Sequence, residues 1–244
     1  MDSCDRSRLR RGMLAATLAA LVAGCAGGNT ETAAIPGDND PAEPVNRAVF
    51  DANMAVDRAV VKPVAEAYRD NLSEGVRQGI QNAAGNLNEP FVAANDVLQG
   101  NFTRAWTSAQ RFAINTTAGI GGVVDRAKDM GLPSHSTDIG QTLAVWGVGE
   151  GPYVQLPGLG PSNVRDAVGT AAGFALNPLA MTGYARVTNL SYARGGADFV
   201  DTRASHLTTL EDLERTSLDF YTTLRSVAQQ RRQAQIEKAR QGNP

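Results

Sequence analysis

The stretch Asp40-Pro41-Ala42-Glu43-Pro44-Val45-Asn46-Arg47-Ala48-Val49-Phe50, carried on through residues 51–60, decides the fold class. Asp40 has the side chain of a helix N-cap, Pro41 suits the first helical position, and Glu43 completes a capping box. Val45, Val49, Ala52, Val56 and Val60 then recur at spacings of three and four, the period of an amphipathic helix. Working outward, the same period returns repeatedly. Ser73-Glu74 opens a helix with Val76, Ile80, Ala83 and Leu87 on one face. Pro90 interrupts it, and Phe91, Ala94 and Leu98 continue. Phe102, Ala105, Ala109 and Phe112 mark another, Asp138 caps a short one over 139–146, and Val164, Val168, Ala171 and Ala175 mark a further one. Residues 207–235 form the longest candidate, with Leu207, Leu210, Leu213, Leu218, Tyr221 and Leu224. No stretch alternates with period two for long enough to predict a strand. The expectation is a single all-α domain over residues 40–236, followed by a tail over 237–244.

Upstream of that domain, Arg6, Arg8, Arg10 and Arg11 precede an uncharged run from Met13 to Ala23. The run is too short to span a bilayer, which needs about 20 apolar residues. It has the layout of a secretory signal with small residues at its end. Val22-Ala23-Gly24-Cys25 resembles a bacterial lipobox, which implies cleavage after residue 24 and an N-acyl diacylglycerol on Cys25. Several acyl chains anchor a protein stably, where one does so only marginally. Residues 25–39 are small, polar and punctuated by Gly and Pro, a flexible tether with a typical span of about 20 Å.

Loss of residues 1–24 removes four arginines, Asp2 and Asp5, and leaves 19 basic and 23 acidic residues. A net negative chain is not a nucleic-acid binder. Cys4 leaves as well, so Cys25 is the only mature cysteine and stability must come from packing.

Two segments depart from bundle helices. Gly119-Ile120-Gly121-Gly122 follows a helix directly. Residues 147–161 carry Gly147, Gly149, Gly151, Pro152, Pro157, Gly158, Gly160 and Pro161, and predict loop or broken helix. This second segment is apolar for a loop, with Val148, Tyr153, Val154, Leu156 and Leu159, which points to a membrane, a partner or a core. The glycines are not a phosphate cradle: the third glycine of a dinucleotide fingerprint and a βαβ context are missing. No Gly-x-Ser-x-Gly elbow is present. His135 and His206 sit beside Ser134, Ser136 and Ser205, with no spacing that suggests a triad or a metal, and read as exposed loop and helix histidines. The expectation is no enzyme, no cofactor and no metal.

Ordered motifs carry a resemblance. The opening Asp40–Phe50 run, Lys62-Pro63-Val64-Ala65, and Gly85-Asn86-Leu87-Asn88-Glu89-Pro90 come first. Arg111-Phe112, Asn115-Thr116, Gly119, Gly121-Gly122 and Asp125 follow. Gly140-Gln141-Thr142-Leu143, Gly147-Val148-Gly149, Gly151-Pro152-Tyr153, Leu156-Pro157, Gly160-Pro161-Ser162 and Arg165-Asp166 complete the series. Together they resemble the MlaA/VacJ family of outer-membrane lipoproteins, strongly over residues 40 to 180 and more weakly to 235. Ile139 stands where that family often has Phe, and Pro44-Val45 where it often has Gly-Phe.

The resemblance implies a helical ring in the inner leaflet of the outer membrane of a Gram-negative bacterium. The ring would be pierced by an amphipathic channel and bound to a trimeric porin. It would remove phospholipid from the outer leaflet, pass it to a soluble periplasmic carrier and so maintain lipid asymmetry. The competing class is a structural or assembly lipoprotein that binds a porin and moves no lipid. On the transport reading, Asn115 to Asp125 form a bend or hairpin that gates the lipid path, with Gly119, Gly121 and Gly122 allowing it to move; a static helix contact is the alternative. Arg194, between Tyr192 and Gly195-Gly196, could attract a headgroup phosphate or be a solvated surface cation. Arg225, Arg231, Arg232, Lys238 and Arg240 make the end of the last helix basic. The apolar face fades after Ala228, which predicts a projecting end able to dock the carrier or anionic headgroups.

Overall fold

The computed structural model describes residues 39–176 and 185–242. Ten α-helices and one β-hairpin are present among them. They are α1 (Glu43–Val56), α2 (Lys62–Asn71), α3 (Glu74–Leu98), α4 (Phe102–Thr117), α5 (Arg126–Asp129) and α6 (Ile139–Val145), then β1 (Tyr153–Leu156) and β2 (Gly160–Asn163). The chain ends with α7 (Val164–Ala175), α8 (Ala185–Ser205), α9 (Leu207–Thr216) and α10 (Phe220–Arg240). A turn of π-helix, Asp57–Val61, joins α1 to α2. The all-α class holds, with one small exception.

That exception is the hairpin, where the sequence predicts loop or broken helix. β1 and β2 pair antiparallel with Tyr153 opposite Asn163 and Leu156 opposite Gly160. Four residues per strand are too few to read as alternation, and the strands are held from outside. Asn46 of α1 accepts from the Gln155 amide at 2.9 Å and donates to the Tyr153 carbonyl at 3.2 Å. Asn53 does the same two helical turns on, to the Leu156 carbonyl and from the Gly158 amide.

Three helix boundaries differ from expectation. Helix α1 starts at Glu43, and Asp40 caps nothing. Its buried carboxylate instead accepts from Asn46 at 2.7 Å, from Arg225 at 2.6 Å and from the Tyr221 hydroxyl. Pro90 does not interrupt α3, which runs through it for 25 residues. The single long helix over 207–235 is two: Ser217 turns extended, and Asp219 caps α10 by accepting from the Thr222 amide.

Among the described residues the larger buried apolar side chains gather in two small clusters. Phe50, Tyr153 and Tyr221 pack edge to face, with ring centroids 5.4 Å apart for Phe50–Tyr221 and 6.1 Å for Tyr153–Tyr221. Burial pushes the Tyr153 hydroxyl up to about 12. Ala65, Ala204 and Leu207 form the other cluster, under Tyr68. Elsewhere the distribution is inverted. Val45, Val56, Val60 and Val64 face outward along α1, the π-turn and α2; Phe102, Trp106, Trp146, Phe174 and Leu176 are also exposed. The buried residues instead include Asn46, Asn86, Glu89, Asn95, Asp96, Arg104, Ser108, Arg111 and Asn115.

The end of α10 does not project, contrary to the sequence expectation. Ile236 and Ala239 are buried. The Gln235 carbonyl accepts from Gln141, and Arg240 donates to the Ala144 carbonyl. Arg232 spans Asp138 and Asp166 at 2.7–3.0 Å. Beneath it α6 and α7 cross backbone to backbone: a Cβ on Gly169 would lie 2.3 Å from the Gly140 nitrogen. Small residues and a polar arginine fasten this end, so apolar periodicity could not reveal it.

Candidate functional site

The polar residues buried between α3 and α4 lie on facing helical positions. On α4, Arg104, Ser108, Arg111 and Asn115 recur every three or four residues and share one face. On α3, Asn86, Glu89 and Asp96 oppose them in antiparallel order. Asn86 donates to the Thr116 hydroxyl at 2.9 Å. Arg111 donates to Glu89 at 2.7 Å, to Asp125 at 3.0 Å and to the Leu132 carbonyl at 2.7 Å. Arg104 Nε stands 3.5 Å from Asp96. Burial pushes the Arg104 guanidinium down, and Asp96 offsets part of that.

At one end of this seam the predicted residues Asn115, Gly119, Gly121, Gly122 and Asp125 come together. Asn115 donates to Asp125 at 2.9 Å and accepts from the Ala127 amide at 2.9 Å. Burial alone would raise the Asp125 carboxyl; Arg111 and Asn115 outweigh it and hold it below the usual carboxylate range. The turn between them is left-handed at three successive residues: Ile120 (φ 55°), Gly121 (67°) and Gly122 (93°). A β-branched side chain there is strained by about 1–3 kcal/mol. Ile120 is nevertheless kept, with its side chain exposed. Gly122 is required twice over, because a Cβ would also meet the Asn86 side chain at 2.6 Å. Gly119 packs against the Val124 and Asn115 carbonyls, whereas a Cβ on Gly121 would meet nothing. The Gly122 and Gly121 amides donate back to Asn115 and Thr116, and Asn82 of α3 donates to the Val123 carbonyl.

Arg194 is not brought to this group by any of these bonds. It lies inside α8 and pairs with Asp198 at 3.2 Å. Cys25 lies outside the described residues.

Sequence reasoning missed the other end of the seam. His135, expected exposed, is buried with its Nε2 2.6 Å from Asp96. Gln99 donates to Thr137 at 2.6 Å and to Thr142 at 2.9 Å, and Thr142 donates to Asn95 at 2.9 Å. The signal available was the polar spacing of Asn95-Asp96 and Gln99, which a search for apolar faces passes over. His206 is exposed, as expected. Glu89, Asp96, Arg104 and Ser108 each keep an atom with no hydrogen-bond partner in the protein. Among the described residues no three His, Cys, Asp or Glu side chains are grouped to hold a metal ion.

Chemically, a buried polar seam lies among helices that also carry exposed valines, phenylalanines and tryptophans. The MlaA lipoprotein family profile matches residues 38–235. An uncharacterized protein of Rickettsia bellii is 35% identical over 81% of this chain and 77% of its own length. The intermembrane phospholipid transport system lipoprotein MlaA of Shigella flexneri is 36% identical over 86% of this chain and 82% of its own. A solved structure reported as the structural basis for maintenance of bacterial outer membrane lipid asymmetry is 34% identical. It superposes with a TM-score of 0.71 over 81% of this chain and 98% of that one. The chain belongs to the MlaA lipoprotein family.

Proposed function

We propose that this protein is a lipid-anchored component of an intermembrane phospholipid transport system, which removes mislocalised phospholipid from the outer leaflet of the outer membrane. The observation that carries the reading is the inversion of the body: a charged and polar seam buried between α3 and α4, with valines, phenylalanines and tryptophans outside. Large apolar side chains on a surface are stable in hydrocarbon, and irregular backbone is tolerated there where it is buried or lines a cavity. Among the described residues no helix is long and apolar enough to cross a membrane. A body of this kind suits a position within one leaflet.

A headgroup leaving water loses hydration, which is costly for charged groups. A polar-lined passage replaces that hydration while the tails remain among apolar surfaces. The strained turn over Ile120–Gly122 lies beside that passage, and Arg194 of α8 supplies a cation for the headgroup phosphate. Acylation of Cys25 holds the body at the periplasmic side of the outer membrane. Phospholipid, a soluble periplasmic carrier and a trimeric porin are its partners, and the reading assigns no catalytic residue.

The test is the amount of phospholipid in the outer leaflet of a strain lacking this gene. The reading expects accumulation, reversed by the wild-type gene and not by Cys25→Ala. An unchanged outer leaflet would leave a structural porin-binding lipoprotein as the better account.

A further inference from the structure

We infer that the body is two lobes articulated at the π-turn Asp57–Val61 and at Ser217–Asp219, with a cleft between them that changes width. The two apolar clusters fall one in each lobe. Phe50, Tyr153 and Tyr221 tie α1, the hairpin and α10 together. Ala65, Ala204 and Leu207 tie α2, α8 and α9. Two connections between the lobes lie side by side, and both are local weak points.

The first has a covalent cause. Pro63 has no N–H, and its ring would collide with the carbonyl of residue 59 in a regular α-helix. The chain widens just before it: the Lys62 amide donates to the Asp57 carbonyl, five residues back. π-Turns of this kind recur at functional sites. No residue of the turn is buried. The second connection is the break between α9 and α10, where Ser217 and Asp219 are extended and Leu218 is fully exposed.

The ion pairs near these joints respect the division. Asp57 holds Arg203 through two bonds of 2.8 Å, Lys62 holds Glu211 at 2.6 Å, and Arg58 holds Glu214, all with α8 or α9. The π-turn is therefore clamped to the second lobe, and the bend falls where α1 runs into it. Arg47 holds Asp219 at 2.6 Å, between α1 and the first turn of α10, within the first lobe. A cleft of about 260 Å³ lies between the two sets, with Arg47, Phe50 and Asp51 on one side and Arg58 and Glu214 on the other. Side chains saturated within their own lobe leave a cleft cheap to open and close. Helix α3 contacts both lobes: Gln81 donates to Asp201 of α8, and Gln99 donates to Thr142 of α6.

The experiment is a pulsed dipolar distance measurement on the full chain in phosphatidylethanolamine nanodiscs, with nitroxides on introduced p-acetylphenylalanine residues. Ala67 of α2 with Val227 of α10 reports across the lobes; Val45 of α1 with Val227 reports within one. All three positions are exposed. The cross-lobe distribution should be wider than the control by several ångströms. Pro63→Ala, at an exposed position, should narrow it and leave the control unchanged. A cross-lobe distribution as narrow as the control overturns the articulation. A wide distribution unaffected by Pro63→Ala overturns the π-turn as its joint. Neither readout depends on lipid transport.

Discussion

The aromatic cluster under α1 and the seam between α3 and α4 bury side chains by opposite rules. In the cluster, Phe50, Tyr153 and Tyr221 exclude water as in any soluble domain, and the polar atoms at its edge are matched: Tyr221 reaches Asp40, and Tyr153 donates to Gln155 at 2.6 Å. In the seam, charges are buried face to face and part of their capacity stays unmet. Hydrophobic burial contributes stability wherever it occurs. A buried charge pair rarely contributes net stability, but removing one partner is costly. The difference separates burial that stabilises the body from burial that does not.

The largest effect should come from breaking the seam. Arg111→Ala strands Glu89 and Asp125, and should destabilise by about 3–5 kcal/mol, read as the shift of the denaturant midpoint in detergent. Arg111→Met with Glu89→Gln and Asp125→Asn should recover much of that loss while still abolishing transport. Recovery of both stability and transport would make the seam mere packing. A smaller effect is expected in the cluster: Tyr221→Phe removes one donor from Asp40, which keeps Asn46 and Arg225, and should cost about 1–2 kcal/mol with transport intact.

The chain read along its apolar period identified most helices because packing against any apolar medium, protein or lipid, uses the same 3.6-residue repeat. It could not say which face turns inward. Val45, Val56 and Val60 have the spacing of a core stripe and lie outside; the seam on α4 has the same spacing written in Arg104, Ser108, Arg111 and Asn115. The left-handed turn was legible as a cluster of glycines, but its strain sits on Ile120, which no composition flags. The α9–α10 break was hidden because Ser217-Leu218-Asp219 keeps a leucine among the apolar residues of 207–235, and that leucine is exposed. The packed end of α10 was hidden for the reverse reason, because Arg232 and Gln141 fasten it rather than leucines.

A third test uses acid. Burial favours the neutral Asp166 carboxyl, but Arg232 and Arg165 more than offset this and hold it below its ordinary 3.8. Asp166 therefore contributes stability above that ordinary value, and the contribution is lost as pH falls through the folded-state value. Thermal stability of the wild type should drop below about pH 4 more steeply than that of Asp166→Asn. Equal acid limbs would remove this clamp from the account. The smallest stability effect should be Gly121→Ala, where a Cβ meets nothing and only the positive φ opposes it. It should cost about 1 kcal/mol. A fall in lipid transfer beyond that loss of folded protein would mark the turn as part of the path.

The central claim is that the outer surface of this body lies in lipid. Trp106 and Trp146 are the only two tryptophans and both are exposed. Their fluorescence in vesicles that contain brominated phospholipid tests the claim most directly. The account predicts blue-shifted emission quenched by bromines on the acyl chains, with Trp106→Phe and Trp146→Phe each retaining a quenched signal. Emission at the wavelength of water-exposed tryptophan, unaffected by brominated chains, would contradict it.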